Sequence, residues 1–495
     1  MYNKSKTKIN IMILKEEKYT YNDLSIMPSK ISDISSRSEC IIPDQLPLFT
    51  APMDSVVGEK NLDEWAKNGI TAIIPRTIDL GFRLSKGREG YWIAVSLQEF
   101  KDHFVDSDVS CPYKVLIDVA NGHMKILYDL VKEAKTRNRG LIIMVGNIAN
   151  PSTYYQAEEA RVDYIRCGIG AGRGCFARGT KVTMANGERK SIETIRPGEK
   201  VLTHTGSYKT VSDVVCLIPE PGSMVLITSE FGEVLATSNH KFLVGEDWIE
   251  AKDLERATLE TGFMVPVKVQ EHEDVLEVYD LTVEDDHSYF AEGYAVHNCI
   301  TSSNTAVHFP MASLINETYE IKKRIGGCAK IVADGGIRNY SDIIKALALG
   351  ADCVMVGSVF TKMLESSAKT YFSYVTSEER WYEFKYDPQR HKYEDGRFYD
   401  LNVETGTQDE IKLKKEFYGM ASKKGQIAMN GKKTRTAEGL STTLPVEYTM
   451  ESWTNNFRDY LKSAMSYTGC RDLREFIGEQ IMVILSPGTK ESVNK

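Results

Sequence analysis

Short apolar runs recur along the first third of the chain, each set off by a polar or amphipathic stretch. LFTAPM (48–53), TAIIP (71–75), YWIAVSL (91–97), KVLIDVA (114–120), LIIMVGN (141–147) and YIRCGIG (164–170) read as buried strands. HMKILYDLVKEAKTR (123–137), between two of them, spaces its apolar residues for one helical face. Strand–helix alternation of this kind predicts a parallel sheet with right-handed crossovers. The rhythm breaks at Cys175. From Lys181 to Ala295 the runs KVTM, KVLTH, VVCLI, MVLITS, EVLAT, HKFLV, GFMVPVKV, EVYDLTV and SYFAEG predict an all-β unit. Turn signals punctuate it at Asn186-Gly187, Pro197-Gly198 and Pro221-Gly222. After Cys299 the first pattern returns. AKIVADGG (329–336) and DCVMVGSVF (352–360) are strands flanking the helix YSDIIKALALGA (340–351). Beyond them the chain reads as helical, charged and tyrosine-rich, with HKYEDGRFYDLNVETG as a surface hairpin.

The simplest organisation is an insertion. Removing 175–298, which is 124 residues, joins GIGAGRG to CITSSN as one glycine-rich loop after a strand. The remaining 371 residues suit one (β/α)8 barrel with extra loops. The expected domains are 1–174, the N-terminal part of the barrel; 175–298, the all-β insert; and 299–495, the C-terminal part with its flap and tail.

Composition narrows the partners. Apolar content is 42% and charged content 26%, ordinary for a globular protein of 495 residues. A net charge of −8 argues against nucleic acid or an anionic membrane surface as the main partner. The sequence holds no apolar run long enough to span a bilayer and no convincing signal peptide, and Met12 is as good a start as Met1. Nine cysteines, scattered and without a CxxC pair, fit free thiols in a reducing, cytoplasmic setting.

Both ends of the insert carry chemistry. Cys175 follows a glycine whose carbonyl is sterically open, so its thiol can attack Gly174 and turn the amide into a thioester. Thr237 and His240 supply a hydroxyl and an imidazole three residues apart to polarise that amide and protonate the departing nitrogen. At the far end the Asn298 side-chain amide can attack its own backbone carbonyl and cleave the chain before Cys299. His297 and His287 are candidate proton donors there, and Cys299 is the thiol that accepts the acyl group. His204 and His272 read as solvated or packed rather than catalytic. The opening CFARGTKVTMANGERKSIETIRPGEKVLT, the block TSNHKFLV and the closing VYDLTVEDDHSYFAEGYAVHNC resemble an intein of the Hint fold. About 28 residues between Trp248 and Glu277 leave no room for a homing endonuclease, which makes it a mini-intein.

In the host, ADGGI (333–337) and MVGS (355–358) end consecutive strands in small residues, where backbone N–H groups can approach a phosphate. The healed loop places Cys299 at the C-terminal end of a strand, the face where barrel enzymes keep their chemistry. TYNDLSIMP, SSRSE, LFTAPMDSV, DVANGH, MVGNIA, GIGAGRG-C-IT, IVADGGIR, KALALGADCVMVGS, FYGMAS, AEG and SYTG are similar to the IMP dehydrogenase/GMP reductase family. The resemblance implies a covalent bond from Cys299 to C2 of a purine mononucleotide, GMP or IMP. It implies that Asp334, Gly335, Gly336, Gly357 and Ser358 hold ribose and phosphate, with Tyr418 near the phosphate. Met420, Ser422, Glu438 and Gly439 would contact the base, and Asp118, Val119 and Ala120 would lie along the nicotinamide cofactor. Gly170 and Gly172 would fall at a monovalent cation site, K+ in many members, and a homo-oligomer, often a tetramer, is implied.

Only 18 positions separate Met420 from Glu438, short for the flap of the dehydrogenases. Arg435 opens an Arg-x-x-Glu-Gly string similar to that of GMP reductases, in which Thr301 and Glu438 would relay the proton that helps ammonia leave. That branch implies NADPH; the alternative, IMP oxidation, implies NAD. Arg173 and Ser302-Ser303-Asn304 depart from the family pattern and leave open a third alternative, nucleotide binding without turnover.

Overall fold

The computed structural model describes residues 17–486 except 108–111, 169–174, 197, 218–223, 239, 246, 273–277, 285, 287, 298–308, 376–380, 386, 388–389, 395–396, 402–407, 419–426 and 428–440. Eight short strands form one sheet: β1 Leu48–Thr50, β2 Ile73–Ile74, β3 Trp92–Val95, β4 Lys114–Asp118, β5 Ile142–Ile148, β6 Tyr164–Cys167, β7 Lys330–Asp334 and β8 Cys353–Val356. They run in the order β1-β8-β7-β6-β5-β4-β3-β2, and every pairing is parallel. The Phe49–Thr71 bridge and the Thr50 N–H bond to the Thr71 carbonyl bring β1 against the start of β2 and close the barrel. The fold is a (β/α)8 barrel interrupted between β6 and β7 by an all-β unit.

The strands read as continuous apolar runs because both of their faces are covered. Ile93, Val115, Leu116, Ile143, Val145, Ile165, Ile331 and Val354 are fully buried. Phe49, Trp92 and Tyr164 meet edge to face with centroids 5.3–5.7 Å apart. Trp92 and Tyr164 open their strands, so this cluster fills the N-terminal end of the barrel and leaves chemistry to the opposite end. Helices Lys125–Arg137, Met311–Ile325 and Tyr340–Ala348 cover the outside through apolar stripes such as Leu127, Leu130, Val131 and Ala134.

The insert has two large antiparallel sheets and a two-stranded one, Arg256–Thr258 paired with Met264–Pro266. The seven-stranded one contains Phe176–Ala177, Lys200–Leu202, Tyr208–Leu217, Met224–Ser229, Gly232–Thr237, Lys268–His272 and Val278–Val283. The six-stranded one contains Lys181–Thr183, Arg189–Ser191, Lys241–Val244, Asp247–Glu250, Ser288–Ala291 and Tyr294–His297. Phe176, Val182, Ile227, Phe242, Tyr289 and Val296 are among its buried core, which is separate from that of the barrel.

One expectation fails. Beyond the short helix Ser358–Thr361, the described stretch after β8 has strands as its named elements until the helix Met450–Thr468. It folds as an antiparallel sheet of Thr370–Tyr374, Tyr382–Glu383, His391–Glu394, Arg397–Leu401 and Gln408–Tyr418, with Ser441–Pro445 added to the last. In Gln408–Tyr418 the buried positions are Ile411, Leu413 and Lys415, a period of two masked by lysines on the other face. The predicted hairpin is present, His391–Glu394 pairing with Arg397–Leu401.

Candidate active site and insert junction

Asp334 is the last residue of β7. Its Oδ2 accepts from Arg166 Nε at 2.7 Å and from Asn147 Nδ2 at 2.7 Å. Arg166, on the neighbouring β6, reaches across with Nη1 to Asp118 Oδ1 at 2.7 Å. Burial alone would lower the Arg166 pKa, but the carboxylates of Asp334 and Asp118 outweigh it and hold it above its ordinary value. One guanidinium thus fixes two of the predicted site carboxylates at the ends of β4 and β7. Val119 is set by main-chain bonds, its N–H to Gly146 O and its carbonyl accepting from Asn147 N, and Ala120 beside it is exposed.

The chain around Asp334 requires glycine. Gly168 has φ +127°, and a Cβ there would collide with the Asp334 carbonyl. Gly335 and Gly336 follow at φ +113° and +72°. Gly357 lies against Ala51 and Met53, with Ser358 opening the next short helix. Tyr418 donates to Asp54 Oδ2 at 2.6 Å, and burial together with that carboxylate raises the phenol pKa well above its ordinary value. Four polar atoms on these elements are buried with no hydrogen-bond partner among the described residues: Tyr21 OH, Asp54 Oδ1, Ser55 Oγ and Thr77 Oγ1. Buried unpaired groups cost about 1–3 kcal/mol each. Tyr21 lies beside Gly336, Asp54 bonds Tyr418, and Ser55 and Thr77 follow β1 and β2, which fits a site that takes a polar ligand.

Of the predicted host residues, Asp118, Val119, Ala120, Asp334, Gly335, Gly336, Gly357, Ser358 and Tyr418 all lie at the C-terminal ends of strands or just beyond. Gly170, Gly172, Cys299, Thr301, Met420, Ser422, Arg435, Glu438 and Gly439 fall outside the described residues, as do His287 and Asn298 of the insert.

At the first junction Cys175 is fully buried. Its N–H, the nitrogen of the Gly174–Cys175 bond, donates to Thr237 Oγ1 at 2.8 Å, and Thr237 N–H returns a bond to the Cys175 carbonyl at 2.8 Å. The His240 N–H bonds the Thr237 carbonyl, and the His240 ring is buried 4.0 Å from the Phe176 ring. The structure therefore brings Cys175, Thr237 and His240 together. Two further residues sit behind them. Tyr289 donates to Asp280 Oδ1 at 2.7 Å, both are buried, and burial followed by the Asp280 carboxylate pushes the phenol far up. Neither was singled out from sequence, nor were Arg166 and Asn147. The available signal was a lone charge inside an apolar strand, in VYDLTV and in YIRC. His297 closes its strand against Ser288 and lies beside Trp248, their rings 4.8 Å apart.

Comparison with known proteins finds two family models in the chain. Residues 100–236 and 297–383 match the model of the IMP dehydrogenase / GMP reductase domain, the first part running into the insert. Residues 174–308 match a Hint-domain model. The chain carries an IMP dehydrogenase/GMP reductase domain split around a Hint domain. It is similar to the GMP reductase of Lactobacillus delbrueckii subsp. bulgaricus, 27% identical over 233 residues, covering 43% of this chain and 69% of that protein. The GMP reductases of Staphylococcus aureus and Staphylococcus saprophyticus are each 26% identical over 230 residues, covering 43% of this chain and 70% of the relative. Among the described residues no helix is long and apolar enough to cross a membrane, and no cluster of three His, Cys, Asp or Glu side chains is placed to hold a metal.

Proposed function

We propose that the chain is a self-splicing precursor of a purine-nucleotide oxidoreductase. The Hint domain, residues 175–298 without a homing endonuclease, removes itself and joins 1–174 to 299–495. The observation that carries this reading is the Cys175 amide held by Thr237 with His240 alongside. A hydroxyl that accepts the amide N–H in the resting chain can turn to donate to the nitrogen as it becomes an amine. The Cys175 sulfur adds to the Gly174 carbonyl, the C–N bond breaks, and the nitrogen gains a proton. Cys299 then takes the acyl group by thioester exchange. The Asn298 side-chain nitrogen bonds its own carbonyl carbon, the bond to Cys299 breaks, and the freed amine attacks the thioester to leave an ordinary peptide.

The ligated host is read as a GMP reductase, with Cys299 bonding C2 of GMP and Thr301 and Glu438 relaying the proton that releases ammonia. Arg166 and Asn147 hold Asp334 for the ribose hydroxyls, and Gly335, Gly336, Gly357 and Ser358 offer backbone N–H groups to the phosphate. The unpaired Ser55 and Tyr21 hydroxyls fit an anionic nucleotide. NADPH, when bound, supplies the hydride that completes GMP to IMP. The residues suited to hold it are Asp118, Val119 and Ala120: their main chain is fixed and Ala120 leaves the ledge open. The names of the similar proteins and the short Met420–Glu438 stretch favour this branch over IMP oxidation. A homo-oligomer and a K+ site at Gly170 and Gly172 belong to the same reading.

Intact-mass analysis of the expressed chain should show products of 124 and 371 residues and a host peptide joining Gly174 to Cys299. The ligated product should oxidise NADPH with GMP. A single unspliced mass ends the splicing reading, and NAD reduction with IMP moves the enzyme to the other branch.

A further inference from the structure

His204 lies in the turn after strand Lys200–Leu202. The turn is pinned: the Thr203 and Thr205 hydroxyls both donate to Asp286 Oδ2, at 2.5 and 2.7 Å, and Thr203 N–H bonds the Ser207 carbonyl. This fixes the His204 imidazole, whose Nδ1 is 2.6 Å from Ser288 Oγ, while its main-chain N–H donates to the same oxygen at 3.3 Å. Ser288 is fully buried and faces His297 across the antiparallel pair Ser288–Ala291 and Tyr294–His297. The second neighbour of His204 is Trp248, edge to face at 5.5 Å and 80°. Trp248 meets the His297 ring in the same manner, at 4.8 Å and 85°. His204 therefore touches both residues that flank His297.

His297 is the last residue of its strand, immediately before the Asn298–Cys299 bond in sequence. A proton donor must present one ring nitrogen within hydrogen-bond reach of the bond it cleaves, and small errors of orientation are costly. Ser288 sets the strand position beneath His297, Trp248 confines one side of its ring, and both are held from behind by His204. We infer that His204 is a positioning residue for His297 in cleavage of the Asn298–Cys299 bond, acting through Ser288 and Trp248. The inference rests on the splicing reading above, and concerns only the C-terminal junction.

The test separates the two junctions in the full chain. With Cys175→Ala, intact mass reports cleavage after Asn298; with Asn298→Ala, thiol-induced cleavage reports the Gly174–Cys175 bond. His204→Leu should slow the first roughly 5- to 10-fold, the scale of losing one edge-to-face contact and its hydrogen-bonded support. It should leave the second within about twofold. His204→Asn, whose side-chain amide reaches the place of Nδ1, should recover most of the rate. In the Asn298→Ala chain, the His297 ring 15N signals should shift or broaden with Leu and return with Asn. Wild-type cleavage with His204→Leu, equal slowing at both junctions, or unmoved His297 signals overturns the inference. If the Cys175→Ala parent itself fails to cleave, the splicing reading fails, and the His297 signals still decide the positioning claim.

Discussion

Replacing Thr237 by valine removes one oxygen and little volume. Thr237 is 5% exposed and Cys175 is fully buried, so the Cys175 N–H that loses its 2.8 Å acceptor gains no water in exchange. Leaving a buried donor unpaired costs about 1–3 kcal/mol. The returning bond, Thr237 N–H to the Cys175 carbonyl, belongs to the main chain and survives, so the strand stays in place. If the hydroxyl serves the nitrogen more strongly as it becomes an amine, the loss falls on the barrier, and the acyl shift slows roughly 5- to 150-fold. Thiol-induced release of residues 1–174 from an Asn298→Ala chain, followed by gel or intact mass, reads this step alone. Thr237→Ser keeps the oxygen and should cleave within a few-fold of the parent. A valine variant as fast as the parent, or a serine variant as slow as valine, refutes the assignment.

Arg166→Met should destabilise the host by about 3–5 kcal/mol, because it leaves two poorly exposed carboxylates without their shared cation; denaturant titration checks this, and adding Asp334→Asn should recover part of the loss. Gly168→Ala forces a side chain onto a backbone at φ +127° and into the Asp334 carbonyl, so the unfolding free energy read from denaturant titration should drop by more than the ~1–2 kcal/mol of the conformational strain alone. Lys415 is buried with Nζ bonded to the Leu364 and Ser366 carbonyls and Ser366 Oγ, and burial lowers its pKa to about 7. The unfolded chain then holds more protons between about pH 7 and the ordinary lysine value, so the penalty is full below pH 7 and relieved as pH rises. Relative to Lys415→Met, the parent should gain stability from pH 6.5 to 9; a flat difference contradicts the account. Cys299→Ser should permit splicing through the hydroxyl and abolish GMP reduction, measured by mass and NADPH absorbance.

The eight barrel strands were legible because strands buried on both faces are short, mostly apolar and set off by nearby glycines or prolines. The insert was legible as a change of period. Gln408–Tyr418 was not, because KLKKE presents lysines at the outward positions and one, Lys415, at an inward one, where alternation of polarity carries no signal. In the site, glycines and terminal residues of strands were readable from motif spacing. Arg166, Asn147, Asp280 and Tyr289 were not, because their roles arise from partners up to 187 positions away. Trp248 between two histidines is likewise a product of sheet packing, invisible along the chain.

The seam between β6 and β7 also governs how the molecule is made. Tyr164 pairs with Lys330, and Cys167 with Ala333, yet the insert is synthesised between them. If that stretch were still a flexible coil when the barrel closed, each doubling of its length would add about 0.6 kcal/mol of closure entropy and slow the pairing. The insert avoids this by bringing its own ends together. The Phe176 ring stands 6.1 Å from Tyr289, on the strand that pairs with Tyr294–His297. Folding the insert first therefore delivers the two halves of the barrel to each other as a short tether would. On this view the order of synthesis matters: a chain whose insert folds late should show a slow, aggregation-prone phase at this one seam, while β3, β4 and β5 pair at their ordinary pace.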